Sequence, residues 1–414
     1  MKLPLEKYYR WFFVIGFLIF IIPTALHAYW LMPFPGSQDL EVMENAYLIE
    51  KLLLPLQISG ILFMIGPVLK VFLKGSFFKR MIVGLAGVVC FIIFYYSSFE
   101  YSAEEMFKEP SDVEFSTSEE NKVPLNNVIL GLVQNGEVKA YPLNYVGYHH
   151  KIQDSIGGKP VLITYCTMCR SARMYDPVLN GKKQTFRLVG ARHYNAIIED
   201  QETKSWWYQA TGEAAAGPLK GSRLKEIDFE QSTLAAWLDR YPNSLILQPD
   251  TLYSENYERL KNYDKVRKYA QDSLYNDTLP MKWNNWVVAI KQKNRSKVYN
   301  WEHVLKYNPV NDTIGNMSVV VALEKDSLSL HTWNREVNGK VVEFEFDSAG
   351  KGLRDINTKS LYTWQGKCIE GPDSGQQLKR VASYQEFWSS WETFNKNITA
   401  WKPKPETDRL KTGE

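Results

Sequence analysis

The sequence predicts an N-terminal three-helix transmembrane anchor followed by an extracytoplasmic, β-rich α+β region built from two degenerate repeats. Three observations predict it. Three long apolar runs fill the first hundred residues, strand-like runs alternate with turn residues after about residue 122, and five local patterns recur in the same order further on. A chain of 414 residues has room for about two to three domains. Its formal net charge of +3 excludes a generic polyanion binder, which needs a concentrated cationic footprint. Its 45% hydrophobic and 14% aromatic content excludes a mostly disordered chain. Four cysteines exclude a disulfide-stapled mini-protein. The mean hydropathy of -0.31 suggests a soluble protein only because it averages an apolar anchor with a polar remainder.

The apolar runs are Trp11 to Leu31, Leu52 to Leu73 and Met81 to Tyr96. About 20 apolar residues span a bilayer as a helix, and core helices rarely stay apolar all round for so long. Lys2, Lys7 and Arg10 precede the first run, and Lys70, Lys74, Lys79 and Arg80 flank the second connection. The first connection carries Asp39, Glu41, Glu44 and Glu50. Lysine and arginine are retained on the cytoplasmic side. The expected topology is therefore a multi-pass protein of the inner cell membrane, N-terminus cytoplasmic, with the large C-terminal region periplasmic or extracellular. Ala25-Leu-His-Ala28 resembles a signal-peptide cleavage site, but the apolar run is long and continues through Tyr29-Trp30-Leu31, which favours a retained helix. His27 and Lys70 lie toward span ends, so an anchor is favoured over a transporter.

Residues 102–122 read as an acidic linker. Then Val128-Ile-Leu-Gly-Leu-Val, a turn at Asn135-Gly136, and Val138 to Val146 read as a hairpin with a short helical turn. Trp286 to Ile290 and Lys297 to Val304 repeat that pattern. Asp154-Ser-Ile-Gly157 recurs as Asp312-Thr-Ile-Gly315, and Val161 to Thr164 as Val319 to Ala322, at one offset of 158 residues (154 to 312). Gly212 to Pro218 matches Gly366 to Pro372, and aromatic stretches at Leu234 to Tyr241 and Tyr384 to Phe394 close the two series. So long a period means two copies of a domain-sized unit. The expected boundaries are an anchor at 1–101 (spans about 11–31, 52–73 and 81–97), the linker at 102–122, a first unit at 123–249, a connector at 250–283, a second unit at 284–400 and a polar tail at 401–414. Within the connector, Tyr257 to Ala270 reads as a helix.

The sharpest chemical feature is Thr164-Tyr-Cys166-Thr-Met-Cys169-Arg170-Ser171. A strand runs straight into Cys-x-x-Cys, which brings two sulfurs near one point. Three readings fit: a reversible dithiol, two ligands of a soft metal ion, or a structural pair. Arg170 stands where a haem-attachment motif needs His. Metal binding needs further ligands, for which His149, His150 and His193 are the candidates in the same unit. Zinc or copper, or no cofactor at all, matches that set. At the positions of Cys166 and Cys169 the second unit has Glu324 and Ser327. Asp176, Glu199 and Asp200 have no spacing that separates them from surface charges. The glycine-rich stretch from Thr211 to Leu224 fits no nucleotide pattern and reads as turn geometry. Two functions follow from different classes. One is a membrane-anchored thiol-redox or soft-metal protein using Cys166 and Cys169, with Arg170 and Arg173 lowering a thiol pKa. The alternative is a non-enzymatic ligand- or partner-binding module with a structural Cys pair, lined by Trp206, Trp207 and Tyr208. Expected partners are the lipid bilayer and a membrane or periplasmic redox protein, with no nucleic acid. The sequence carries no signal for subunit number, nor for whether the chain is an enzyme.

Taken together, Ile163-Thr-Tyr-Cys-Thr-Met-Cys-Arg-Ser-Ala172, Tyr194-Asn195 and Thr211-Gly-Glu-Ala-Ala-Ala-Gly-Pro-Leu219 resemble domain-of-unknown-function family 3179. The resemblance covers about Val128 to Pro249 well and the second unit more weakly. It implies an extracytoplasmic or membrane-anchored protein. It places the family motif on Cys166, Cys169, Asp154, Gly157, Gly158, Asn195, Asp200, Thr211, Gly212, Gly217 and Pro218, with the family's His at His149. Thr167 stands where the family often has Pro. The resemblance implies no known reaction.

Overall fold

The computed structural model describes residues 8–263, 281 and 284–403. The end of the connector, part of the helix expected over Tyr257 to Ala270, and most of the 401–414 tail lie outside the described residues. Within that connector, Ser254–Arg259 is helical. The chain divides into two compact units, one of residues 1–108 with 184–223 and one of residues 109–183 with 224–414.

The first unit carries helices α1 (Tyr9–Leu31), α2 (Met43–Lys74) and α3 (Phe77–Tyr95). All three, the last extended through Glu100, are long and apolar enough to cross a membrane. Helices α1 and α2 approach backbone to backbone: a Cβ on Gly16 would lie 2.6 Å from the Gly60 carbonyl oxygen. Small residues give this close crossing where apolar surface alone drives no association. Gln57 Nε2 donates to Thr24 Oγ1 at 3.0 Å across the same seam. Helix α2 begins nine residues before the expected apolar span, so Glu44 and Glu50 belong to the helix and not to the connection. Their carboxylates are satisfied within the unit. Glu44 pairs with Lys220, and Glu50 pairs with His27 and with Arg187 (2.7 Å). Residues 184–223 supply a four-stranded antiparallel meander of Phe186–Arg192, Asn195–Asp200, Trp206–Tyr208 and Ala214–Ala216. Its apolar face packs Val189, Ile197, Trp206 and Ala216 against Leu31, Ala46 and Tyr47 of the helices.

The second unit contains two series of elements in the same order. In the first series, Val128–Gln134 and Glu137–Pro142 form a hairpin, with Asn135 (φ 50°) and Gly136 (φ 83°) at the turn. Positive φ at both central residues is the primed turn that matches strand twist. Helix Leu143–His149 follows, then strands Lys151–Ile156, Lys159–Cys166 and Ser171–Asp176. Strand Glu230–Thr233, helix Leu234–Arg240 and strand Leu245–Leu247 close the series, the last pairing parallel to Glu137–Pro142. In the second series the hairpin is Trp286–Gln292 with Arg295–Asn300, the helix Trp301–Tyr307, and the next strands Val310–Ile314, Met317–Leu323 and Leu330–Asn334. A four-stranded meander over 344–370 precedes strand Ser383–Phe387, helix Trp388–Phe394 and strand Ile398–Ala400, the last again parallel to its hairpin. Each series has its own aliphatic core, one around Leu130, Tyr141 and Ile163 and one around Val288, Tyr299 and Val321.

Candidate functional site

Cys166 ends one strand of a hairpin and pairs across it with Ser171. The residues between them, Thr167 to Arg170, form the turn, so the hairpin tip itself holds both sulfurs. Cys169 Sγ lies 3.0 Å from Ser171 Oγ and 3.9 Å from the Cys166 carbonyl oxygen. Both cysteines are present as thiols, 0% and 2% exposed. Arg170 closes the turn in the left-handed region (φ 55°), uncommon for a residue with a long side chain.

Four elements of the same unit hold this tip. The Arg170 guanidinium stacks 3.8 Å from the Trp286 ring centre and donates to the Tyr263 carbonyl at 2.7 Å. The Tyr263 hydroxyl donates to the Thr167 carbonyl, and its ring meets Tyr165 edge-on at 6.0 Å. Burial pushes the Tyr263 hydroxyl pKa up, the Arg170 charge opposes that, and the two nearby thiols add to it. The Phe387 N–H donates to the Cys169 carbonyl at 2.9 Å. Gly147 of helix Leu143–His149 leaves room for Thr167, whose Cγ2 would be 3.4 Å from any Cβ there. Arg173, two residues beyond Ser171 on the same strand, is 3% exposed and reaches Glu386 at 2.5 Å and Glu226 at 3.8 Å, with Tyr384 under its guanidinium at 4.2 Å. Its charge is therefore engaged by carboxylates. The Arg170 cation belongs to the turn itself and lies against the Trp286 ring.

The histidines stand apart from this arrangement. His149 Nε2 is 2.6 Å from the Tyr257 hydroxyl. His150 is left-handed (φ 61°), with Nδ1 3.3 Å from the Tyr148 carbonyl, and burial pulls its pKa down to about 4, so its ring is neutral near pH 7. His193 belongs to the other compact unit, beside Glu41 at 3.8 Å. Among the described residues no three of His, Cys, Asp and Glu come together in a group that could hold a metal ion.

The remaining signature residues build turns and core. Asp200 accepts from the Thr203 and Ser205 N–H groups and from Trp207 Nε1 at 2.9 Å. Glu199 accepts from Trp206 Nε1 and Arg187. Asn195 Oδ1 accepts the Ala210 N–H. Gly217 (φ 97°) lies so close to Ser205 that a Cβ would be 2.7 Å from its Cα. Trp206 and Trp207 are 0% exposed, so they are core and not groove wall; their ring N–H groups are spent on buried carboxylates. A cleft of about 390 Å³, with Asn126, Asn144, Tyr145, Tyr257 and Lys261 in its lining, offers the ligand-binding alternative a different place.

The surroundings of the Cys turn were not legible in its own segment. Tyr263, Trp286, Glu386 and Phe387 come from 93 to 218 residues beyond Arg170 and Cys169 (170 to 263, 169 to 387). Tyr165 and Ser171 lie within the same run.

A model of the family described as protein of unknown function (DUF3179) matches residues 110–398. No curated protein and no solved structure matches the chain.

Proposed function

The chain belongs to the DUF3179 family, and from that premise we propose that it is a membrane-anchored thiol–disulfide protein whose working atoms are the sulfurs of Cys166 and Cys169. One observation carries the reading: both thiols sit on one hairpin turn that also carries Arg170, whose guanidinium is seated beside it on the Trp286 ring. A short i to i+3 turn keeps two Cα atoms within about 7 Å, which overlaps the separation a disulfide requires. The reaction is exchange with an incoming disulfide. One thiolate attacks, a mixed disulfide forms, and the second thiolate displaces the leaving sulfur. Two S–H bonds are lost and one S–S bond forms, while the incoming disulfide gains two electrons and two protons and leaves as two thiols. The partner class is a membrane or extracytoplasmic disulfide-bearing protein. The lysine and arginine distribution around the three helices supports a cytoplasmic N-terminus and an outside location for the region after about residue 101.

Gene duplication followed by loss of the thiols from the second copy accounts for the two series of elements. Its support is detailed. Tyr141 and Tyr299 each donate to Asp154 and Asp312 (2.7 and 2.8 Å), Lys139 and Lys297 each pair with the same aspartates, and Gly217 and Gly371 each lie against a serine. A metal reading has less support, because the histidines bind tyrosines and backbone instead of converging on the sulfurs.

Reactive cysteines are normally partly exposed, so here access is the controlling step. Tyr263 is the side chain that closes it, through its bond to Thr167 and its edge contact with Tyr165. In the purified full chain, Tyr263→Ala is expected to speed alkylation of Cys166 and Cys169 about tenfold or more, by raising the population of the open turn. The two thiols should also disappear together when a small disulfide replaces the alkylating reagent. Equal rates in wild type and variant, or thiols inert to disulfide in both, would count against the reading.

A further inference from the structure

The Cys turn belongs to the first series of elements, yet its carbonyl at Cys169 takes a hydrogen bond from Phe387 of the second series. Phe387 ends strand Ser383–Phe387 and is the N-cap residue of helix Trp388–Phe394. The neighbouring links between the series, Arg170 on Trp286 and Arg173 with Glu386, are side-chain contacts. The Phe387 link is a backbone hydrogen bond made by the peptide that joins Cys169 to Arg170.

That peptide adjoins the side chain that a disulfide must move. In the dithiol, Cys169 Sγ lies against Ser171 Oγ at 3.0 Å. An S–S bond of about 2.05 Å, with Cβ atoms about 3.5–4.5 Å apart, requires the sulfur to leave Ser171 and turn toward Cys166. The residue after it cannot follow freely. Arg170 is held at φ 55° with its guanidinium seated on Trp286 and bonded to the Tyr263 carbonyl. Cys166 on the other side is fixed in the ladder opposite Ser171. Any backbone adjustment that accompanies the turning sulfur therefore falls on the bonds flanking the 169–170 peptide, whose carbonyl is the acceptor for Phe387.

We propose that the Cys166–Cys169 pair is a redox switch read by the second series: disulfide formation withdraws the Cys169 carbonyl from the Phe387 N–H and loosens the start of helix Trp388–Phe394. This rests on the redox reading of the pair. The oxidant is the disulfide of the exchange partner, and the electron and proton balance is that of the exchange itself. A burial-locked dithiol is suited to such a role, because what it transmits is a change in docking and not a high turnover.

The test uses the full chain in detergent, reduced or oxidised with diamide, with hydrogen exchange followed at the Phe387 amide. Alkylation and mass measurement on the same samples report whether the intramolecular disulfide formed. The expected result is exchange at Phe387 about tenfold faster in the oxidised protein, with strand amides at Val287 to Ile290 unchanged. Cys166→Ser treated in the same way should show no acceleration. An oxidised pair with unchanged exchange at Phe387 overturns the coupling and leaves the redox reading standing. A pair that never forms the disulfide overturns both. Equal acceleration in Cys166→Ser overturns the coupling, because the effect then does not come from the disulfide.

Discussion

Replacing Arg173 by alanine is expected to destabilise the second compact unit by about 3–5 kcal/mol, the cost of leaving a buried charge without its partner. The stranded group is Glu386, whose side chain is 1% exposed and 2.5 Å from the guanidinium. Its other contact, Ser390 Oγ at 2.5 Å, is neutral and does not replace the lost charge. The guanidinium also leaves Tyr384 and Glu226. The control is the pair Arg173→Met with Glu386→Leu. Removing both charges for apolar groups of similar volume often restores stability, so the double variant should recover most of the loss. Chemical unfolding of the purified chain, followed by tryptophan fluorescence, measures both. A double variant as unstable as the single one would show that Arg173 acts through packing on Tyr384 and not through its charge.

The second large effect lies in the other unit. Arg192 is 0% exposed and donates to the backbone carbonyls of Trp30 and Ser37, at 3.1 and 2.7 Å, and of Leu40. The Trp30 carbonyl is in the last turn of α1, and those of Ser37 and Leu40 lie in the connection to α2, a stretch with no regular structure to satisfy them. Arg192→Ala leaves the buried Ser37 carbonyl and the part-buried Trp30 and Leu40 carbonyls without this donor, and a buried acceptor alone costs about 1–3 kcal/mol. The expected outcome is a total loss of about 3–5 kcal/mol and much faster protease cleavage between Met32 and Val42. Arg192→Lys keeps the charge but not the planar fork and should fall between. Unchanged cleavage in Arg192→Ala would mean that the connection is held by Ser37 and Gln38 on the Met32 carbonyl alone.

These two arginines also show what the sequence made legible and what it did not. The three membrane-length helices were readable because a bilayer demands a long uninterrupted apolar run. The early start of α2 was not. Its first two turns carry Glu44 and Glu50, which look like connection residues until Lys220 and Arg187 are placed beside them. The Asn135-Gly136 hairpin was readable because its turn needs two residues with positive φ, and few residue pairs allow that. The cysteine pair was readable from its spacing. Its environment was not, because packing brings Tyr263, Trp286, Glu386 and Phe387 to it from remote segments. Arg173 shows the cost of that gap. Near two thiols in sequence it looks like a charge that lowers a thiol pKa, whereas in the fold its charge is taken by Glu386 and Glu226. His149 and His150 are adjacent to the Cys strand in sequence, yet each has a partner of its own. Gly217 in the glycine-rich stretch has the turn geometry that such a stretch predicts, since a positive φ and a close backbone approach are what glycine uniquely permits.

The most direct test of the central claim is a redox titration of the full chain in buffers of graded glutathione ratio, with acid quenching and alkylation of Cys166 and Cys169 at each point. The account predicts one reversible transition in which both thiols vanish together, following a two-electron slope of about 30 mV per tenfold change in the ratio. It also predicts that the fully oxidised form carries an internal disulfide and no bound glutathione. Thiols that stay alkylatable after unfolding at every ratio, or that are lost separately as two glutathione adducts, would contradict it.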